Sequence, residues 1–185
     1  MSSTHRTGGL VARLHATHMA AIAILRTPLL ADVLALLARL TLAGVFWRSL
    51  LTKVQTTKLF TYTEYINDFP VERARMRIPA LPLDMKPATI TLFANEYDLP
   101  ILPPAVAAWM ATLAEFVLPL LLVVGLASRL SALALLAMTL VIQFLVYPEA
   151  WWGTHALWIV MAGYLSVYGP GRASLDHLVG ARFAR

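Results

Sequence analysis

Four long apolar runs constrain this chain more than any other feature. The run from Leu29 to Leu51 is interrupted only by Asp32, Arg39 and Arg48, and the run from Pro103 to Val124 has Glu115 as its one charge. Leu130 to Tyr147 has no charge at all, and Trp152 to Tyr168 has one His and no formal charge. About 20 apolar residues at 1.5 Å each cross ~30 Å of hydrocarbon, so each run is sized for a membrane span. A soluble core helix of this length would carry a polar stripe, and these do not. The expected fold is all-α: an integral membrane bundle of four transmembrane helices over 29–51, 103–124, 130–147 and 152–168.

Charge supports that class. Only 14% of the 185 residues are Asp, Glu, Lys or Arg, against about a quarter in soluble domains. The net charge of +5 does not point to nucleic acid, because the cations flank apolar runs instead of forming a patch. With no Cys, thiol chemistry, Fe–S clusters and zinc thiolate sites are excluded, while the redox compartment stays open.

The runs are unevenly connected. Gly125–Arg129 and Pro148–Trp151 are tight turns, whereas a long loop from Thr52 to Leu102 separates the first two spans. That loop holds six of the ten acids and all three lysines, Lys53, Lys58 and Lys86. Loops of this length are functional or carry structure of their own. Lys58–Phe69 reads as an interfacial helix and Pro79–Pro87 as irregular chain. Residues 1–28 form a leader in which Leu10, Leu14, His18, Ile22 and Leu25 share a helical face, as in an amphipathic helix on the membrane surface; a frayed leader is the alternative. Arg26 interrupts the apolar run, so a cleaved secretory signal is not expected. The membrane domain is assigned to 29–178 and a short tail to 179–185. Arginines 6, 13, 26, 129, 172, 182 and 185 fall on one side, so N-in and C-in is expected, with the long loop outside.

Charges inside a membrane need partners. Arg39 lies ten positions beyond Leu29 and Glu115 nine before Val124, which sets both at about 15 Å from the same end. A buried Arg39–Glu115 pair is therefore expected, as a structural clasp or as a proton-handling or ligand-contacting site. Thr139, Gln143 and Tyr147 make a polar stripe on the third span, which adds Gln143 to this network. At the outer end Arg48, Lys53, Glu96, Tyr97, Tyr147 and His155 gather cations, carboxylates and aromatics. A headgroup-sized ligand site and an ordinary interfacial belt are both built from such residues. Two histidines at membrane depth, as a bis-His haem needs, are missing, and no phosphate-binding glycine motif is present. His15-x-x-His18 lacks a third ligand, so no metal is expected.

The order of several short pieces resembles the DoxX family. They are Arg39-Leu-Thr-Leu-Ala-Gly-Val-Phe46 running to Lys53; Leu92-Phe93, Glu96-Tyr97, Leu99-Pro100 and Leu102-Pro103-Pro104; and Ala114-Glu115, Pro119, Gly125-Leu126 and Arg129. The resemblance spans roughly residues 30 to 178. It implies a small four-helix protein of the bacterial inner membrane. It also implies association with redox or detoxification systems, since the family takes its name from a subunit linked to thiosulfate oxidation with quinone as acceptor, and other members accompany soluble redox proteins. Arg39, Arg48, Lys53, Glu96, Tyr97 and Glu115 are the positions that would carry such a role, and the lack of Cys argues against a thiol relay. No cofactor is evident from the residues; quinone is the one the resemblance suggests. Rival readings are a non-catalytic anchor or assembly partner recruiting a periplasmic or membrane protein through loop 52–102, and a small-solute transporter. Contact with the lipid bilayer is expected in every case, a homo-oligomer is compatible, and nucleic acid is not a partner.

Overall fold

The computed structural model describes residues 13, 15–19, 22–23 and 27–183. Helix α1 is Pro28–Lys53, with Pro28 at the position where a missing N–H costs nothing. A β-ribbon follows, β1 Thr56–Ile66 and β2 Phe69–Pro79. Helix α2, Pro87–Leu92, runs into a wide π-type turn, Phe93–Tyr97. Helix α3 is Pro104–Val124, and α4 is Ser128–Val141 widening over Ile142–Val146. A short 3-10 turn, Pro148–Ala150, and a third wide turn, Trp151–His155, lead into α5, Ala156–Tyr168. Helix α6, Leu175–Phe183, closes the described chain, so the tail expected from 179 begins inside a helix.

Helix α1 packs on α3, α3 on α4, α4 on α5, and α5 returns to α1. Leu42 and Phe46 of α1, Leu122 of α3, Leu135 of α4 and Leu165 of α5 form the dry centre of this ring. The outer surface is equally apolar: Leu40, Leu113, Leu120, Leu133, Leu157 and Val160 are all exposed. A helix with leucines on its outside as well as its inside is solvated by lipid, not water. Among the described residues three helical stretches are long and apolar enough to cross a membrane: Pro28–Lys53, Pro104–Val124 and Ser128–Val146.

The loop departs from expectation. The interfacial helix at Lys58–Phe69 is instead β1, its turn and the first residue of β2. TTKLFTYTEYI is dense in β-branched and aromatic residues, and Asn67-Asp68, both at positive φ (49° and 64°), supply the tight hairpin turn. Alternation with period two thus decides over a helical reading of the same residues, and the molecule is mostly helical, not all-α. In the leader, His18 and Ile22 are helical; Leu10, Leu14 and Leu25 lie outside the described residues.

Candidate functional site

The buried stripe of α1 runs Ala35, Arg39, Leu42, Ala43, Phe46, Leu50, Lys53, at spacings of three and four. Two cations toward its two ends therefore face the bundle interior, and each meets a different partner.

Arg39, 1% exposed, does not touch Glu115. Its Nε donates to the Leu122 carbonyl at 2.7 Å, Nη2 to Val123 at 2.8 Å, and Nη1 to Ala173 at 2.7 Å and Pro170 at 3.2 Å. Leu122 and Val123 end α3, where the last turn leaves carbonyls without intrahelical donors and the helix dipole is negative. The guanidinium fork fills both needs and straps the 170–173 segment to the bundle. Gly125, at φ 73°, permits this approach; a Cβ there would lie 2.7 Å from Arg39 Nη2 and 2.6 Å from Ser174 Cβ. Matched depth misleads because side chains lean toward their own helix N-terminus. In the antiparallel α1 and α3, Arg39 leans toward the Pro28 end and Glu115 toward the Pro104 end, so the two stems diverge.

The same lean brings Lys53 and Glu115 together. Lys53 Nζ donates to Glu115 Oε1 at 2.9 Å and Oε2 at 3.0 Å, with side-chain exposures of 6% and 3%. Ser49, one turn before Lys53, accepts from Nζ at 2.7 Å and donates to Glu115 Oε1 at 2.9 Å. The Lys53 carbonyl is held by Thr89 Oγ1 at 2.7 Å and the Lys86 N–H at 3.0 Å, so α2 fixes the end of α1. Ser49 is absent from the sequence-based candidates, although its i−4 relation to Lys53 puts both on one face.

This triad forms the polar end of a cleft of about 260 Å³ between α1, α3, α4 and the turn after α2. Its other walls are apolar: Met110 and Ala111 of α3, Met138 and Val141 of α4, and Phe93 and Tyr97 from the wide turn. Phe93 and Tyr97 stack edge-on at 4.7 Å, and Tyr97 meets Tyr147 at 5.8 Å. The Tyr147 hydroxyl donates to Glu96 at the rim. Burial pushes the Tyr97 hydroxyl above its usual range, and the bond to Glu96 pushes Tyr147 up, so both stay protonated near neutrality.

The remaining candidates part company with this cleft. Gln143 does not join Arg39 or Glu115: its Oε1 accepts from His155 Nδ1 at 2.7 Å and its Nε2 donates to the Pro148 carbonyl at 2.8 Å. With Nδ1 committed as donor, the pair ties α4 to the start of α5. Thr139 bonds back to Leu135 in its own helix. Arg48 is exposed on the outside of α1, as its angular distance from Lys53 requires. Of the six outer-end residues, Lys53 and Tyr97 line the cleft, Glu96 and Tyr147 close its rim, and Arg48 and His155 stand apart.

Against known proteins, a family model described as DoxX matches residues 34–148, more than half of the chain. The match includes Arg39, Lys53, Glu115 and Gln143 and stops before His155. No curated protein and no solved structure matches the chain.

Proposed function

The chain belongs to the DoxX family, and on that premise we propose that it is the membrane subunit of a redox or detoxification system, holding a quinone-class molecule in the cleft. The observation that carries this reading is an apolar cavity with one buried polar end: Ser49, Lys53 and Glu115 stand against walls of Met, Ala, Val and aromatic rings. Most ligand pockets have this composition, with a few placed polar groups for orientation. The donor set fits the group. Lys53 and Ser49 can donate to a ring carbonyl, Glu115 can accept from a ring hydroxyl, and the half-buried Tyr97 is a further neutral donor. A bound quinone would supply two-electron chemistry that these side chains lack. The protein's part is to exclude water, orient the ring and keep a charge-neutral pair ready to exchange hydrogen bonds with either redox form.

In this reading α5, preceded by the turn Trp151–His155, is the fourth span, which returns the C-terminus to the side of the N-terminus. The arginine count at the short segments supports N-in and C-in in a bacterial inner membrane, with the cleft opening toward the outer face.

The test is saturable binding of a quinone analogue to the protein in nanodiscs. Lys53→Met and Glu115→Gln should each weaken binding about tenfold or more, the scale of a lost hydrogen bond to a charged group. Met110→Trp, which fills the cleft from an exposed position, should abolish binding with the fold intact, and Arg48→Ala should leave it unchanged. No saturable binding in the unaltered protein would refute the reading and favour a non-catalytic membrane anchor.

A further inference from the structure

The ribbon β1–β2 leaves the end of α1 with neither face covered. Phe60 and Phe69 are each 74% exposed and Tyr65 72%. A lone two-stranded ribbon is marginal in water, and aromatics exposed on this scale mark a contact surface. Its two faces are unlike. Alternation places Phe69, Val71, Arg73, Arg75 and Arg77 of β2 on one face, opposite Ile66, Glu64 and Tyr62 of β1. The contacts agree: Arg75 lies 5.9 Å over the Tyr62 ring, and Arg73 Nε meets Glu64 at 2.9 Å. The opposite face carries Thr57, Thr61, Thr63, Tyr65, Glu72 and Met76; Lys58, the register partner of Arg77, reaches Glu72 at 3.3 Å, so this face holds no unneutralised acid from that pair.

We propose that the arginine face lies on the phosphate headgroups of the leaflet at the α1 C-terminus, with Ile66 and Phe69 entering the acyl boundary. Continuity and charge both support this occupant. The ribbon starts at Thr56, just beyond Lys53, and its base is fixed at that membrane end by buried Val54 and Pro79. Three arginines aligned on one side, beside a single Glu64, complement a plane of phosphates. Their guanidinium forks match phosphate oxygens, and the aromatic tip is suited to the interface. The face with Thr57, Thr61 and Thr63 is then turned to water. The ribbon thereby becomes a flat foot that braces the end of α1.

The chain has no Cys, so single cysteines can be introduced for labelling without interference. An environment-sensitive fluorophore is attached at Phe69→Cys or Thr63→Cys in the full-length protein, in nanodiscs of zwitterionic or half-anionic phospholipid. The expected result is a blue-shifted emission quenched by lipid-borne spin labels at position 69 and a water-like emission at 63, with the contrast stronger in anionic discs. The triple Arg73→Gln, Arg75→Gln, Arg77→Gln variant should lower the lipid-bound to free ratio on the order of 100-fold, at about 1 kcal/mol per cation. Raising salt to 1 M, where the Debye length is about 3 Å, should remove most of the dependence on anionic lipid. Water-like emission at 69 in both disc types, or a nonpolar signal there only after a second protein is added, would overturn the proposal. The ribbon would then be a protein-docking element. None of these readouts depends on whether the cleft binds quinone.

Discussion

Replacing Lys53 by Met tests the pairing of Lys53 with Glu115. The substitution keeps the stem and removes the ammonium, leaving a carboxylate at 2% exposure with only the Ser49 hydroxyl at 2.9 Å. A bare buried ion would cost several kcal/mol, but Glu115 has an escape: it can take a proton. Neutralising an ordinary glutamate at pH 7 costs about 1.36 × 2.7, or roughly 4 kcal/mol, which caps the destabilisation. Glu115→Gln leaves a buried ammonium instead, and its cap is about 5 kcal/mol by the same reasoning. The double variant Lys53→Met/Glu115→Gln has no charge to bury and retains a hydrogen bond to Ser49, so it should lose only about 1 kcal/mol. Unfolding in mixed micelles by titration with dodecyl sulfate reads these values as a double-mutant cycle. A double variant as unstable as the sum of the singles would refute the argument.

Arg39→Met should cost about 4 kcal/mol or more, because several buried carbonyls lose a charged donor at once, and it should speed hydrogen exchange in Leu175–Phe183 specifically. Arg39→Lys should recover only part of that stability, since a point ammonium cannot span the fork's acceptors. Tyr147→Phe cuts the bond to Glu96 at the cleft rim; a maleimide should then modify Ala107→Cys, at a buried position on the cleft wall, about tenfold faster, with Leu133→Cys on the lipid face unaffected. Equal rates at position 107 would show that the rim bond does not control access. A reporter fused after Arg185 should read cytoplasmic and one inserted near Pro82 periplasmic; the opposite pattern would move the cleft to the other compartment without altering the bundle.

What is legible in the sequence follows from length and periodicity. Helices α1, α3 and α4 lie within two residues of the expected ends, because apolar runs and flanking Pro and Gly set them. Lys53, Tyr97 and Glu115 are all recognisable as candidates, yet depth pairs Glu115 with Arg39. Depth arithmetic counts Cα positions, whereas the charges sit at the ends of stems that lean in opposite directions on antiparallel helices. The polar stripe of its helix places Gln143 in the same network, but the turn Ile142–Val146 and the short return to α5 bring His155 to it instead. The ribbon is readable from its threonines and aromatics beside Asn67-Asp68, a signal that a helical reading of the same residues overrides. The carbonyl partners of Arg39 are beyond any motif search, since backbone acceptors carry no residue signature.

The bundle's two ends differ in how they are built, and that difference has a mechanical consequence. One end is stapled, with Arg39 bonded to four carbonyls and Asp176 accepting from the Ala127 and Ser128 N–H groups at 2.7 and 2.8 Å. At the other end, the wide turns Phe93–Tyr97 and Ile142–Val146 interrupt regular helix at the cleft, and a third, Trp151–His155, does so beside them at the start of α5. If the helices pivot about the stapled end, a tilt of about 5° along ~25 Å of helix would displace the far end by ~2 Å and change the width of the cleft, while the core near Leu122 and Leu135 would barely move.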